Sequence, residues 1–310
     1  MFSRILLSLA LSVATATAAE LELGQLDDIA GVERGGETLA REVSGATWHA
    51  GEMWVVDNED DTNLLVMDAA GNFKPRKLPA GAAISDLEGI TSDGTHLYVM
   101  AGGGLSNSGK LDPRRFALVR LTLTGGKLSG ARTLDQLGWL RQFGKELELD
   151  FEKAKGPDGD KVKVIEDVKL EGLAMAPGGR LLVGLRKPLV KDKSMVVELR
   201  GYREAFDKND ASLLKASLFA KLDLDGAGVS SLEHDPVTGN MLALAIHAGK
   251  LKTDMWVWKP GSEPRRVGKL RGHKAEGIAR MGRTSRVLIL ADDEDEDGTK
   301  MGRFGFVELK

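Results

Sequence analysis

The segment Asp86-Leu87-Glu88-Gly89-Ile90 recurs along the chain as Leu170-Glu171-Gly172-Leu173-Ala174 and as Ala275-Glu276-Gly277-Ile278-Ala279. Two looser copies are Val43-Ser44-Gly45-Ala46 and Ser231-Leu232-Glu233-His234. A short turn and then a strongly apolar run follow every copy. Five such copies in one chain are typical of a repeat architecture.

The complete repeats contain four strand-like segments. In the first unit these lie at 45–48, 53–56, 63–67 and 73–78, with turn residues between them. Four short strands in about 40 residues is the size of one β-propeller blade. The glycine content, 38 residues, suits many short strands joined by tight turns.

The last unit begins at Lys274 and reaches Lys310 without a fourth strand. A strand-like segment at 21–26 has no local partner, and pairing it with the last unit would close the ring and remove exposed edges. The sequence therefore predicts an all-β, five-bladed propeller closed by its N-terminal strand. A sixth blade hidden in 105–167 is the alternative.

Residues 133–165 depart from the repeat. Thr133 with Gln136 fits a capping box, and an apolar face follows at helical spacing, so a helical insertion between blades is predicted. It would either cover the channel as a lid or pack on the rim.

The N-terminus has the pattern of a secretory signal peptide over residues 1–19. Met1-Phe2-Ser3-Arg4 is followed by a short apolar run and an Ala-x-Ala exit. We expect residues 20–310 to form one exported domain, periplasmic or secreted, with no membrane-spanning segment. The chain has no cysteine, so disulfides cannot hold this domain together.

The charge pattern argues against one class of partner. The formal net charge is −3, and Lys and Arg are spread along the chain without a basic block. A nucleic-acid partner is therefore not expected.

The residue before the repeated glycine should face the central channel in each blade. A ring of four carboxylates would either bind a cation or hold protons through raised pKa values, and oxygen ligands favour Ca²⁺. The alternative is structural, with each Glu accepting hydrogen bonds from the backbone of the next blade. The predicted ring consists of Ser44, Glu88, Glu171, Glu233 and Glu276.

The ends of the second strands should form a neighbouring ring of Asp57, Gly102, Arg186, His247 and Asp292. Asp57 and Asp292 would add oxygen ligands to a metal site. Arg186 could neutralise the carboxylates in salt bridges or bind an anionic substrate. His247 could be a base, a ligand or a satisfied wall residue.

The segment Asp293-Glu294-Asp295-Glu296-Asp297-Gly298-Thr299 fits the opening of a calcium loop. Its twelfth position is Phe304 instead of the required Glu, which excludes an EF-hand. A loop-type calcium site and an acidic, solvated hairpin tip are left, and the second is favoured.

The chain resembles the bacterial family called domain of unknown function 3616 and, more distantly, the esterase-like-activity-of-phytase propellers. The residues that carry this likeness are 87–90, 170–174, Gly184-Leu185-Arg186-Lys187-Pro188, Trp256-Val257-Trp258 and 275–279. Two segments depart from the family pattern, namely 101–104, which is mostly glycine, and Val229-Ser230-Ser231, which lacks an arginine. The resemblance implies the propeller fold and assigns no reaction. A similarity to calcium-dependent lactonase propellers exists only at the level of the fold.

Two functional hypotheses follow. In the first, the protein hydrolyses an ester, phosphoester or lactone. Ca²⁺ at Glu88, Glu171, Glu233 and Glu276 would then polarise the substrate, Arg186 would bind the developing charge, and an acidic residue would activate water. In the second, the propeller binds a small molecule or a protein at the channel mouth without catalysis. An enzyme should have these groups converging on open volume, whereas in a binding scaffold they should be tied to one another.

Overall fold

Five antiparallel sheets surround a central axis, and the innermost strand of each contacts the innermost strands of its neighbours. The computed structural model describes residues 21–22, 26–29, 32–34, 37–38, 40–68, 70–106, 108–249, 251–294 and 298–309. The predicted five-bladed β-propeller is therefore confirmed. The predicted signal peptide, 1–19, lies outside the described residues.

The strands and helices follow in chain order. Four short N-terminal strands are β1 (Leu21–Glu22), β2 (Asp27–Asp28), β3 (Glu33–Arg34) and β4 (Glu37–Thr38). The first blade contains β5 (Val43–His49), β6 (Glu52–Asp57), β7 (Asn63–Met67) and β8 (Phe73–Lys77). The second contains β9 (Leu87–Ser92), β10 (His96–Ala101), β11 (Ala117–Thr124) and β12 (Lys127–Asp135), with a 3-10 helix at Pro113–Phe116.

Helix α1 (Leu137–Glu146) and a hairpin of β13 (Phe151–Lys155) and β14 (Lys161–Ile165) come next. The third blade contains β15 (Lys169–Ala176), β16 (Arg180–Lys187), β17 (Ser194–Arg200) and β18 (Lys215–Leu222), with α2 (Tyr202–Lys208) and a 3-10 helix (Ala211–Leu213) before β18. The fourth contains β19 (Gly228–His234), β20 (Met241–Ile246), β21 (Lys252–Trp258) and β22 (Arg265–Arg271). The fifth contains β23 (Ala275–Arg280), β24 (Arg286–Glu294) and β25 (Lys300–Glu308).

The N-terminal segment closes the ring, although not as the single strand predicted at 21–26. Strand β2 pairs antiparallel with β25 and becomes the fourth strand of the fifth blade. Strand β1 instead pairs parallel with β22 at the edge of the fourth blade. The single predicted strand at 21–26 is thus corrected to two short strands, one on each of two neighbouring blades.

One buried apolar cluster lies between each pair of neighbouring blades. Strand β6 shows how the sequence builds them. Trp54 and Val56 face the second blade, while Met53 and Val55 face the fifth. The second strands read as continuous apolar runs because both of their faces are buried.

The insertion packs into the cluster between the second and third blades, through Trp139, Leu140 and Phe143 of α1 and Val164 of the hairpin. It is one helix and a hairpin, so the helical prediction is only partly right. The predicted capping box is wrong, because Thr133 belongs to β12 and its hydroxyl donates to the carbonyl of Gly81. The six-blade alternative is also wrong. The described part of segment 105–167 forms the outer strands of the second blade and this insertion.

The repeated glycines allow neighbouring innermost strands to approach closely. A Cβ atom at Gly89 would lie 2.7 Å from Cβ of Leu173, and one at Gly172 would lie 2.8 Å from Cβ of Leu232. Real Cβ atoms do not approach this closely, so any larger residue would push the blades apart. Among the described residues, no helix is both long and apolar enough to cross a bilayer.

Candidate functional site

A β-bulge interrupts the innermost strand of every blade at the same register position. The residue at the bulge is Ser44, Glu88, Glu171, Ser230 or Glu276. The prediction that Glu233 completes this ring is therefore wrong. In the fourth blade, Val229-Ser230-Ser231 stands where the other blades have the repeated segment, and Glu233 lies three positions further along β19.

The ring at the ends of the second strands also contains other residues than predicted. Backbone pairing places Asn58 opposite Glu42 and Asp292 opposite Lys274, at equivalent points of two blades. In the fourth blade, Ile246 pairs with Gly228 at this point. The ring positions are Asn58, Gly102, Ile246 and Asp292, and in the third blade Lys187 pairs with Lys169 while Arg186 forms a bulge between Leu185 and Lys187.

Asp57 and His247 thus lie just outside the ring. The Asp57 carboxylate accepts hydrogen bonds from the backbone N–H groups of Glu42 and Glu59, although burial raises its pKa to about 6. Nε2 of His247 lies 3.2 Å from Oδ2 of Asp254, within the fourth blade. The backbone register shows this one-residue shift, which the sequence pattern did not show.

Two basic side chains hold the bulge carboxylates. Nη1 of Arg186 donates to Oε1 of Glu171 at 2.9 Å and to Oε1 of Glu276 at 3.0 Å. Nζ of Lys274 lies 3.2 Å from Oε1 of Glu276 and 2.5 Å from Oδ2 of Asp292. The third and fifth blades are therefore joined through Arg186. Lys274 was missed in the sequence analysis. The signal that could have found it is a lysine two residues before the bulge glutamate, which recurs in the third blade as Lys169 before Glu171.

Within the part of the chain that the structure describes, Glu88 is the bulge carboxyl without a cation at contact distance. The side-chain amide of Asn58 donates a long hydrogen bond of 3.5 Å to its Oε1. Burial raises its pKa well above the ordinary value, and the charges of Glu171 and Glu276 add to the shift. Burial likewise raises the pKa of Glu276 to about 7, with Lys274 and Arg186 opposing that shift.

The arrangement does not fit the predicted calcium site. Nη1 of Arg186 lies between the oxygens of Glu171 and Glu276 that an ion would need. Across the described part of the chain, no group of three or more His, Asp or Glu side chains is placed so that it could hold a metal ion. The loop prediction at 293–299 includes residues 295–297, outside the described residues. Calcium binding stays a prediction, and thermal unfolding with and without added Ca²⁺ would test it.

A cavity of about 390 Å³ lies at the other end of the innermost strands. All five of these strands contribute to its wall, which places the cavity on the propeller axis. The wall residues from these strands are Thr47, Trp48, His49, Thr91, Ser92, Met175, Glu233, His234 and Arg280.

One buried polar atom in this wall lacks a partner among the described residues, namely Nε2 of His234. The carboxyl of Glu233 makes no hydrogen bond to the described residues either, but Glu233 keeps 8% of its surface exposed. Burial raises the pKa of Glu233 well above its usual range, and Asp235 adds to the effect. Burial lowers the pKa of His234, although Asp235 opposes that shift.

A buried ion pair braces one side of the cavity. Nε of Arg280 lies 2.5 Å from Oδ1 of Asp235, and both side chains are fully buried. Nη1 of Arg280 also donates to the carbonyls of Thr284 and Leu309. Because Asp235 matches its charge and both terminal nitrogens donate hydrogen bonds, Arg280 shapes the wall and is not free to bind an anion.

A histidine and a serine meet on the opposite side. Nδ1 of His49 lies 2.6 Å from Oγ of Ser92, and the backbone N–H of Gly94 donates to the same Oγ at 2.9 Å. Burial lowers the pKa of His49, with Asp93 opposing and His96 reinforcing that shift. Sequence reasoning missed both residues, and the only signal was their place at the ends of β5 and β9, next to a turn.

The known proteins with which this chain can be compared are similar in fold. No protein-family model and no curated protein matches the chain. An exo-β-1,3-galactanase from Phanerochaete chrysosporium, solved with galactose, is 7% identical with a TM-score of 0.52, over 92% of this chain and 65% of that chain. The present chain thus spans less than two thirds of the galactanase.

Two other solved structures match with lower TM-scores. A chain of a mitotic checkpoint complex is 11% identical with a TM-score of 0.43, over 98% of this chain and 100% of that chain. An exo-1,5-α-L-arabinanase from a bovine ruminal metagenomic library is 9% identical with a TM-score of 0.46, over 88% and 96% of the two chains. At these TM-scores and identities, the two matches show nothing about activity.

Proposed function

We propose that the protein binds a small, uncharged polar molecule in the cavity on the propeller axis. The observation that carries this proposal is the buried Nε2 atom of His234, which has no hydrogen-bond partner among the described residues and lines the cavity together with Glu233. Burying a polar group without a hydrogen bond costs free energy, and native proteins satisfy most such groups. A ligand with hydroxyl groups would supply the missing partners.

The electrostatics of the buried part of the wall favour a neutral ligand, although the exposed side chain of Arg283, which also lines the cavity, adds a positive charge. The raised pKa of Glu233 favours its neutral, protonated carboxyl, because burial disfavours the anion. The lowered pKa values of His49 and His234 keep both imidazoles uncharged. The charges of Arg280 and Asp235 cancel within the wall.

The surface chemistry narrows the ligand to a polyhydroxylated compound such as a saccharide. Trp48 and Met175 supply apolar surface, while Thr91 and Ser92 bring hydroxyl groups to the same cavity. An aromatic surface with a few convergent polar groups is the usual composition of a small-molecule site. The galactanase of similar fold was solved with galactose, which makes this sugar a reasonable first probe.

The carboxylates at the other end support the binding hypothesis over metal-assisted hydrolysis. Arg186 ties Glu171 to Glu276, and Lys274 ties Glu276 to Asp292. Groups tied to one another are what the non-catalytic hypothesis requires of that cluster. Its role in this proposal is to hold the blades together.

Isothermal titration calorimetry with galactose, glucose and neutral disaccharides tests the proposal, with glucuronate and glucosamine as charged comparisons. We expect a neutral sugar to bind more tightly than its charged analogues. Glu233→Leu should weaken binding about tenfold or more, because the lost hydrogen bond leaves a buried ligand hydroxyl unpaired. Glu233→Gln, which keeps a neutral polar group, should bind better than Glu233→Leu.

Glu88→Gln is the matched control, because Glu88 is a buried glutamate with a raised pKa at the opposite end of the innermost strands. It should leave the affinity unchanged. If no neutral saccharide binds, or if Glu233→Leu binds as tightly as the wild type, the proposal is wrong.

A further inference from the structure

The cavity contains a serine whose hydroxyl is arranged as a nucleophile. A serine hydroxyl has one hydrogen to donate and two lone pairs to accept. In the neutral tautomer of His49 that carries its proton on Nε2, Ser92 donates its hydrogen to Nδ1 across the 2.6 Å contact, and the N–H of Gly94 occupies one lone pair. The second lone pair is left, and Ser92 is half-buried in the cavity wall.

The histidine is suited to take the proton from Ser92. His49 is buried with about 5% of its surface exposed, and burial favours its neutral form, which can accept a proton at Nδ1. Asp93 supplies a negative charge near the ring. Its carboxylate accepts hydrogen bonds from the N–H groups of Thr95 and His96 and from the Tyr98 hydroxyl.

Those hydrogen bonds hold the pKa of Asp93 below its usual range despite its partial burial, so it is ionised at neutral pH. It would stabilise the imidazolium that forms on His49 when the serine is deprotonated. His96 faces the same region, and its charge would oppose that imidazolium if it were protonated. Within the described residues, Asp93 and His96 are the charged or titratable groups that shift the pKa of His49.

We propose that Ser92 and His49 form a nucleophile and general-base pair that hydrolyses an uncharged carboxylic ester in the axial cavity. The inference rests on the proposed function for its neutral substrate. The Ser92 oxygen attacks the ester carbonyl while His49 takes its proton, and His49 returns that proton to the departing alcohol as the C–O bond breaks. Water then attacks the acyl-serine while His49 takes a proton from it, and His49 gives that proton to the Ser92 oxygen as the acyl–O bond breaks and the carboxylic acid leaves.

The alternative is a purely structural turn, because a serine that accepts the N–H two residues later is common in turns. Ser262 provides an internal comparison. It lies in a turn at 259–262 and makes hydrogen bonds with the backbone of Lys259, and no histidine contacts it among the described residues. A turn serine without a base should have ordinary, low reactivity.

Covalent labelling with a fluorophosphonate distinguishes the two. The Oγ–P bond forms as the P–F bond breaks, fluoride leaves, and His49 takes the hydroxyl proton. We expect stoichiometric labelling at Ser92, located by peptide mass spectrometry, and none at Ser262. Ser92→Ala should abolish the label, and His49→Gln should slow it about 100-fold, a typical contribution of a general base.

Two further measurements test the role of His49 and the turnover of an ester. The labelling rate should rise with pH through a midpoint below the ordinary histidine value of about 6.5, following the lowered pKa of His49. Turnover of p-nitrophenyl acetate should disappear in Ser92→Ala while circular dichroism shows the variant to be folded. Labelling of Ser92 no faster than Ser262, or an unchanged rate in folded His49→Gln, would overturn the inference.

The labelling of Ser92 and the binding of saccharides test the two proposals separately. If neutral saccharides bind and Ser92 is not labelled, ligand binding stands and the catalytic pair is wrong. If Ser92 is labelled and no saccharide binds, the catalytic pair stands and the saccharide is the wrong ligand class.

Discussion

The residue at the β-bulge of each innermost strand differs between blades according to what lies opposite it. In the fourth blade, the hydroxyl of Ser230 donates to the carbonyl of Ala275 in the next blade at 3.0 Å. Where glutamates stand at the bulge, Arg186 and Lys274 supply the positive charge. Among the described residues, no such partner contacts Glu88, so its charge is the costly one in this cluster.

Glu88→Gln should therefore stabilise the protein in a pH-dependent way. The folded pKa of Glu88 is raised, so the folded state binds more protons than the unfolded state between pH 4.5 and that raised pKa. Stability contributed by this group is lost as the pH rises through that window. We expect wild type and Glu88→Gln to unfold alike near pH 5, and the variant to be more stable by about 1–3 kcal/mol at pH 8.

Urea unfolding at the two pH values measures this difference. Glu171→Gln is the matched control, because its carboxylate is paired with Arg186 and the substitution removes an ion pair. It should destabilise the protein at both pH values. A Glu88→Gln protein that is less stable than wild type at pH 8 would contradict the argument.

At the scale of the strand, the buried pair of Arg280 and Asp235 connects β23 of the fifth blade to the turn that follows β19 of the fourth. Asp235 also organises that turn by accepting from the N–H of Val237 and the hydroxyl of Thr238. One ion pair thus holds two innermost strands at the wall of the cavity.

Arg280→Met should cost about 3–5 kcal/mol, because it leaves the Asp235 carboxylate buried without its partner. In the double variant Arg280→Met/Asp235→Asn, the remaining charge is removed and the turn hydrogen bonds are kept, so more than half of that loss should be recovered. Chemical unfolding of the single and double variants measures both terms.

Arg114→Met is the surface control for this cycle. Arg114 is half exposed and pairs with Asp61 and Asp112, so its loss should cost less than about 1 kcal/mol. Strictly additive costs for Arg280→Met and Asp235→Asn would show that the pair is not coupled.

At the scale of the whole molecule, the ring depends on a short N-terminal strand. Strand β2 pairs with β25, and Leu26 just before it joins the cluster between the fourth and fifth blades. Its packing is tight, since a Cβ atom at Gly305 would lie 2.5 Å from Cδ2 of Leu26. Closure of this kind leaves no free edge on β25 along the paired residues.

Leu26→Ala should therefore destabilise the entire propeller by about 2–5 kcal/mol, as for other buried leucines. Leu251→Ala is the matched control, because Leu251 is 68% exposed and its truncation should change stability by less than about 0.5 kcal/mol. Thermal and urea unfolding should show one cooperative transition, shifted in Leu26→Ala. An unshifted transition would mean that the N-terminal strand does not support the ring.

The repeat, the strands of each blade and the propeller fold were determined by the sequence itself. These features depend on local patterns, namely turn residues, apolar runs and the glycine that neighbouring blades require. The paired glutamates Glu171 and Glu276 were also predicted correctly to face one another, because they occupy the same place in well-preserved copies of the repeat.

Only the tertiary structure decided which residues of the weaker copies meet at the axis. Strand register depends on hydrogen bonds to partners distant in sequence, and one bulge moves every following side chain by one position. This is why Ser230 replaces Glu233 in the ring, why Asn58 replaces Asp57, and why His49 and Ser92 come together across two blades. A contact between residues of separate blades leaves no periodic signal in the chain, so the cavity and its chemistry could be recognised only in the folded ring.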